Sequence, residues 1–245
     1  VLLVTGGGRG IGAAIARLGA AQGYDILLTY RSDAARAEAT AEAARAAGAT
    51  ALALQADIAE AEGRARCFAE LDARFGRLDA LVNNAGITGP TGRLEDTPDA
   101  VWEEVLRTNV LGLVACSREA IRRMSTRHGG RGGAIVNISS RASGLGGGGE
   151  WVHYAASKGA VDTLTIGLAK ELAGEGIRVN AVNPGLIDTE LHAAAGMPDR
   201  VTRMAAGVPM GRGGSAEEVA EAVLWLLSAA SGYVTGALLP VSGGR

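Results

Sequence analysis

Short β-rich runs alternate with alanine-rich helical stretches from one end of this chain to the other, and that rhythm leaves few folds open. It is the pattern of repeated βαβ units, in which each strand feeds a helix that packs back on a buried parallel sheet. The runs predict strands near 1–5, 25–30, 50–56, 79–83, 133–139, 177–182 and 237–241, with helices near 11–23, 33–47, 60–75, 99–127, 152–173 and 215–229. The stretch 33–47 is alanine-dominated with Arg and Glu on its outer face, as suits a helix that covers a sheet. Ser215 followed by Glu218 has the spacing of a capping box and marks a helix start. Gly129 to Gly133 and Gly146 to Gly149 are glycine clusters that must form loops. No Pro- or Ser-rich linker divides the chain, which supports one doubly wound α/β domain over residues 1–245. The segment at about 186–214 breaks the rhythm, carries Pro198 and Pro209, and reads as a flap over a site.

Strand one runs into Thr5-Gly6-Gly7-Gly8-Arg9-Gly10-Ile11-Gly12, after which the helical pattern begins. Glycines there permit a tight turn and let main-chain N–H groups approach a pyrophosphate, while the following helix adds the positive end of its dipole. Such a loop works between the first strand and first helix of a βαβ series, which is where it lies. The absence of Gly-Lys-Ser/Thr argues against a P-loop nucleotide hydrolase. The end of strand two selects the dinucleotide: an acidic residue holds a ribose 2′-hydroxyl, a basic one accommodates a 2′-phosphate. Here the chain reads Thr29-Tyr30-Arg31-Ser32, with Asp33 arriving later. Arg31 and Arg9 are placed to bracket a phosphate, so the expected cofactor is NADP(H), with NAD(H) the alternative.

Composition excludes several other functions. A net charge of −2 and scattered basic residues give no footprint for nucleic acid or an anionic membrane surface. Cys67 and Cys116 are the only cysteines, too few for a disulfide framework, and no metal-ligand cluster is visible. No apolar run approaches the length of a membrane span. The opening Val1-Leu2-Leu3-Val4 lacks a basic lead and reads as a strand, not a signal peptide, so a soluble cytoplasmic protein is expected.

Tyr154 and Lys158 lie four residues apart on the helix near 152–173, on one face. A phenol titrates near ~10 and exchanges protons poorly at neutral pH. A lysine ammonium beside it favours the phenolate and is expected to lower that pKa toward the range of acid–base catalysis.

With these residues in order, the chain resembles the short-chain dehydrogenase/reductase family over essentially its whole length, nearest to the 3-oxoacyl-carrier-protein reductase-like branch. The glycine motif matches Thr5 through Gly12, the Asn-Asn-Ala-Gly stretch matches Asn83 to Gly86, and the serine, tyrosine and lysine match Ser140, Tyr154 and Lys158. The resemblance implies a single doubly wound Rossmann domain with a seven-stranded parallel sheet and helices on both faces. It implies that cofactor is held by Thr5, Gly6, Arg9, Gly10, Ile11 and Gly12, by Arg31 and Ser32, and by Asp57 and Ile58 at the adenine. It adds Asn83, Ala85 and Gly86, from the stretch that steadies the central sheet and lines the adenosine side, then Pro184, Gly185, Ile187 and Thr189 over the nicotinamide and phosphates, with Tyr154 and Lys158 at the ribose. Asn109 matches the asparagine that holds a water in a proton relay. Ser140 lies one residue further from the tyrosine than in many members, an offset that the loop Gly144 to Gly149 can absorb. Ser139 is the competitor, and strand alternation points it to the opposite face.

The implied activity is interconversion of a small-molecule carbonyl and a secondary alcohol by hydride transfer, with Tyr154 as general acid/base and Ser140 on the carbonyl oxygen. The alternatives are an NAD(H)-dependent sugar, polyol or other alcohol dehydrogenase of the same family, and a non-catalytic dinucleotide-binding sensor or scaffold. The family also implies a homotetramer through the helices near 99–127 and 152–173 and the C-terminal strand. Of the neighbouring residues, Trp151 is expected to line the substrate cleft with Glu150 and Val152. His153 is expected at a pocket rim or a subunit neighbour, since adjacent helix positions diverge by ~100°, and His192 in the flap is open to either role. The flap reads as small and apolar with few polar anchors, which favours a modest hydrophobic carbonyl compound.

Overall fold

A computed structural model describes residues 1–191 and 195–245; the His192 expectation lies outside the described residues. The elements run β1 (Leu2–Val4), α1 (Gly10–Ala21), β2 (Ile26–Tyr30), α2 (Ala34–Ala46), β3 (Ala51–Gln55), α3 (Ala61–Phe75) and β4 (Ala80–Asn83). They continue as α4 (Asp99–Leu106), α5 (Leu113–Met124), β5 (Gly133–Ile138), α6 (Ala142–Leu145), α7 (Val152–Leu172) and β6 (Ile177–Pro184). Within the flap lies α8 (Arg200–Met204), followed by α9 (Ala216–Leu227) and β7 (Leu238–Val241).

All seven strands are parallel in one sheet of order β3-β2-β1-β4-β5-β6-β7. Alternation within each strand divides the core into two layers. Leu2, Val4, Ile26, Leu28, Val82 and Val136 pack under α1, α2 and α9, whereas Leu3, Leu27, Leu81 and Ile135 face Phe68 and Leu71 of α3, Cys116 and Ala120 of α5, and Leu172 of α7. Both faces are therefore covered, which is why the strands read as continuous apolar runs. Strand order reverses between β1 and β4, and ligands of open α/β sheets bind at the carboxyl ends of strands at such a switch point. Among the described residues no helix is long and apolar enough to cross a membrane.

The helix expected over 99–127 is continuous but not uniform. Between α4 and α5, Arg107–Gly112 form a π-helical segment, with αR dihedrals maintained at Leu106, Arg107, Gly112 and Leu113. Gly112 there presses against Ile58: a Cβ would lie 2.9 Å from the Ile58 carbonyl oxygen. The expected caps are present. Ser215 Oγ accepts from Glu218 N while the Glu218 carboxylate accepts from Ser215 N, and Asp33 Oδ1 accepts the Arg36 N–H at the start of α2.

Candidate active site

The carboxyl ends of β1, β4, β5 and β6 open into one cavity of about 360 Å³. At one end lie Gly6, Gly8, Arg9, Gly10 and Ile11 of the glycine loop, Arg31 and Ser32 after β2, and Asp57 and Ile58 after β3. At the other lie Ser140, Tyr154, Lys158, Glu150, Trp151 and Arg200. Ala85, Gly86, Pro184, Gly185, Ile187 and Thr189 line the same cavity.

The glycine loop is shaped as a cradle. Gly6 and Gly10 have φ of +65° and +52°, which favours glycine. Gly12 faces away from the cavity: a Cβ there would sit 2.5 Å from Asn84 Nδ2 and 3.0 Å from Gly7 Cα, besides overlapping Gly6 O. Its role is close approach of α1 to the loop, not ligand contact. Thr5 likewise acts from behind, its Oγ1 accepting the N–H groups of Asn84 and Ala85 at 3.0 and 3.1 Å. Asn83 is corrected further. Its side chain is buried, donating to Ser117 Oγ at 3.0 Å and to Asn137 Oδ1 at 2.9 Å, because β4 lies beside β5 and pairs these two residues. Asn84, of the same stretch, lines the cavity and donates through Nδ2 to Thr5 O and Gly6 O at 2.9 and 2.8 Å.

The residues present fit a dinucleotide: a glycine cradle at a helix N-terminus, where a Cβ at Gly6 would lie 3.0 Å from Ala85 Cα, carries Arg9 and shares its cavity with Arg31 after β2. The Arg31 guanidinium is 59% exposed, and its Nη1 lies 4.0 Å from Glu104, too loose to occupy it. Arg9 is exposed and forms no ion pair among the described residues.

At the other end, α7 begins beneath the cavity and brings Tyr154 and Lys158 to one face. Lys158 Nζ is 5.6 Å from the Tyr154 ring centroid and donates to Ile138 O at 2.7 Å. Ser140 lines the cavity with Tyr154, its Oγ accepting the Ala142 N–H at 3.1 Å, whereas Ser139 turns inward and donates to Lys158 O at 3.2 Å. Alternation therefore sends Ser140, not Ser139, toward the tyrosine. Burial pushes the Tyr154 pKa up, and the Ser140 hydroxyl opposes it. The expected lowering by Lys158 is not what dominates, because both groups are desolvated together: burial brings Lys158 itself down to about 8, with the Asp162 carboxylate resisting.

Asn109 sits in the π-helical segment and does not line the cavity. It clasps Ile87 from both sides, accepting its N–H at 2.9 Å and donating to its carbonyl at 2.8 Å. It also donates to Ser157 Oγ at 3.0 Å, and Ser157 in turn donates to Tyr154 O. A Cβ on Gly86 would lie 3.2 Å from Asn109 Oδ1 and 3.5 Å from Lys158 Nζ, so that glycine allows both side chains to approach the main chain there.

Trp151 lines the cleft and is packed as well, with Nε1 donating to Gly89 O at 3.2 Å. His153 departs from the expected rim position: it is buried, donates through Nε2 to Thr88 O at 2.8 Å, and meets the Trp102 ring edge-on. Arg200 was missed altogether, since the flap sequence reads as apolar; it is 6% exposed and lines the cavity.

Comparison with known proteins agrees with this arrangement. The family model described as enoyl-(acyl carrier protein) reductase matches residues 6–245. The chain is similar to the uncharacterized oxidoreductase YgfF of Escherichia coli (strain K12), with 49% identity covering 100% of this chain and 99% of that protein. It is 42% identical to the cis-4-hydroxycyclohexanecarboxylate dehydrogenase of Sinomonas cyclohexanicum, covering 100% and 95%. A solved short-chain dehydrogenase from Burkholderia cenocepacia J2315, in complex with NADP, superposes with a TM-score of 0.91 at 35% identity, covering 99% of this chain and 96% of that one. Motif, topology and relatives agree that this chain belongs to the short-chain dehydrogenase/reductase family and is an NAD(P)-dependent oxidoreductase.

Proposed function

We propose that the protein is an NADP(H)-dependent reductase of small carbonyl compounds, working reversibly on the corresponding secondary alcohols. The observation that carries this reading is the single cavity that joins the glycine cradle and Arg31 at one end to Ser140, Tyr154 and Lys158 at the other. The bound dinucleotide supplies the hydride. The chain's own residues handle the oxygen, on which negative charge grows as the carbonyl carbon is reduced.

Ser140 and Tyr154 together receive that oxygen. A phenol kept protonated by burial is a competent donor in the reduction direction, and the Ser140 hydroxyl supplies the second hydrogen bond. Lys158, protonated below about 8, stabilises the phenolate left after proton transfer and stands ready to bind the nicotinamide ribose. Asn109 holds Ile87 and Ser157, and through them the walls of the channel by which a water-borne proton reaches Lys158. Arg9 and Arg31 bind the 2′-phosphate, Asp57 and Ile58 the adenine, and Pro184, Gly185, Ile187 and Thr189 the nicotinamide side. Thr5, Gly12 and Asn83 serve by holding the cradle and the sheet in register.

For the substrate, the dehydrogenase from Sinomonas cyclohexanicum acts on a hydroxylated ring acid, and a small cyclic or branched carbonyl compound suits this cleft. We place the enzyme in the cytoplasm as a homotetramer, with α4, α5, α7 and the half-buried β7 at the interfaces. The deciding experiment is NADPH and NADH oxidation across a panel of cyclic ketones, keto acids, acetoacetyl thioesters, sugars and steroids, with Tyr154→Phe alongside. Turnover that survives in Tyr154→Phe would refute the role given to the tyrosine. NADPH binding without turnover of any carbonyl would favour a sensor.

A further inference from the structure

Arg200 sits in an unusual position for an arginine. It lies in α8, a helix of five residues within the flap, yet only 6% of it reaches solvent. A guanidinium taken out of water needs a partner with good geometry. Arg200 has one: Nη1 and Nη2 donate to the two Glu150 oxygens at 2.9 and 2.6 Å. Its Cζ also lies over the Trp151 ring, 4.6 Å from the centroid. Arginine beside it holds the Glu150 carboxyl below its usual range, so the pair is ionised throughout the neutral region.

The receiving side is held by contacts outside the flap. Gly92 donates to Glu150 O at 2.9 Å, Trp151 N donates to Gly147 O at 2.8 Å, and the indole holds Gly89 O. Glu150 and Trp151 therefore belong to the wall built by the loop after β4 and the start of α7, with Tyr154 one turn beyond. On the other side, the base of the flap is closed by bonds between Leu186, Asp188 and Gly214. Between residues 195 and 207, the Arg200–Glu150 pair is the only side-chain hydrogen bond or ion pair to the rest of the chain among the described residues.

We propose that Arg200 determines which carbonyl compounds the enzyme accepts: clamped by Glu150 and stacked on Trp151, it fastens the flap across the substrate end of the cavity and confines that end to small substrates. This rests on the reading of Tyr154 as the reacting end. Arg200 is a positioning residue and Trp151 the surface against which it closes. The carboxylate is 43% exposed, so the pair is a reversible fastening and not a fixed strut. Substrate can enter with the flap released, and closing restores the wall.

The test compares Arg200→Ala, Arg200→Lys, Glu150→Gln and the reversed pair Glu150→Arg/Arg200→Glu. One readout is kcat/KM for a small cyclic ketone against one carrying an extended substituent. The second is amide exchange at 200–204 in the NADPH complex, which needs no turnover. Arg200→Ala should shift the substrate ratio toward the extended compound and speed exchange at 200–204, each by roughly tenfold, a moderate loss for a half-exposed pair. NADPH affinity should stay within roughly twofold, because the Arg200 guanidinium bonds to Glu150 and Met197 and not to the cradle or Arg31. Arg200→Lys should fall between, and the reversed pair should recover slow exchange. Unchanged exchange and ratio in Arg200→Ala would overturn the proposal. So would an equal loss on both substrates accompanied by a lower melting temperature and weaker NADPH binding, the signature of a purely structural role. If the wild-type protein reduces no carbonyl compound, the reductase reading fails while the exchange readout still decides whether the clamp exists.

Discussion

Replacing Gly12 by Ala tests whether the glycine loop is held in a working shape from behind. The added methyl would arrive 2.5 Å from Asn84 Nδ2, about half an ångström inside the nearest approach that real Cβ atoms make, and closer still to Gly6 O. Neither neighbour can rotate away freely. Gly6 O belongs to the main chain of the cradle, and Asn84 Nδ2 is already committed to Thr5 O and Gly6 O. Overpacking of this kind costs about 1–3 kcal/mol. If the cradle moves to relieve it, the energy is taken from cofactor binding, and ~1.4 kcal/mol per decade gives a roughly 5- to 150-fold rise in the NADPH Kd. If the cradle holds, the melting temperature falls instead, by ~2–4 °C per kcal/mol for a chain of this size. Gly167→Ala is the control of opposite sign: it lies within α7 with nothing near its would-be Cβ, and should stabilise by about 0.5–1 kcal/mol. Fluorescence titration with NADPH and a thermal melt read both quantities. A Gly12→Ala protein with unchanged Kd and unchanged melting temperature would refute the reasoning.

Tyr154→Phe should lower the reduction rate by roughly 10²–10⁴ with NADPH affinity nearly unchanged, read by stopped-flow and titration. Arg31→Asp should turn cofactor preference toward NADH, seen as a reversed ratio of kcat/KM for the two cofactors; a constant ratio removes Arg31 from the phosphate site. The pH profile follows from Lys158, whose folded pKa of about 8 lies below its ordinary 10.5. Reduction should hold level below pH 8 and fall above it as the ammonium is lost, whereas a profile flat to pH 10 would exclude that role. In the same window the unfolded chain retains a proton that native Lys158 has released. This group therefore makes the cofactor-free fold more stable as pH rises from about 8 to 10.5. Ser215→Ala should remove the cap of α9 and cost about 1 kcal/mol in denaturant melts without altering kcat.

The sheet and its order of elements were legible because both faces are covered, so every strand advertises itself as an apolar run and every helix as the gap between two. The tyrosine, lysine and glycine loop were legible because their spacing alone places them on one face or at one turn. The sheet-steadying part of the Asn83 expectation was legible from the resemblance, but its place away from the cavity was not, since its partner Asn137 lies far away in sequence and only the β4–β5 pairing brings the two together. The π-helical segment left no mark either: a wider turn uses the same residue types as an ordinary one. Arg200 escaped because it reads as a surface charge, like Arg203 beside it, until its carboxylate partner, supplied by a distant loop, is brought beside it. His153 was misjudged for the same reason, as Thr88 and Trp102 close over it from other elements.

The wide turn at Arg107–Gly112 also fixes what lengths this chain can have there. Removing one residue from it would give a regular α-helix, which is the better hydrogen-bonded structure, but would swing every position on the far side by ~100°. Either Asn109 would lose Ile87 and Ser157, or Cys116 and Ala120 would leave the core. Single-residue deletions in this stretch should therefore be far less tolerated than in the loops around Gly129 or Gly147. A library of one-residue deletions, scored for folded protein and for turnover separately, should contain members here that fold and do not catalyse. In that register the extra residue is a spacer that keeps two halves of one helix in phase with two different neighbours.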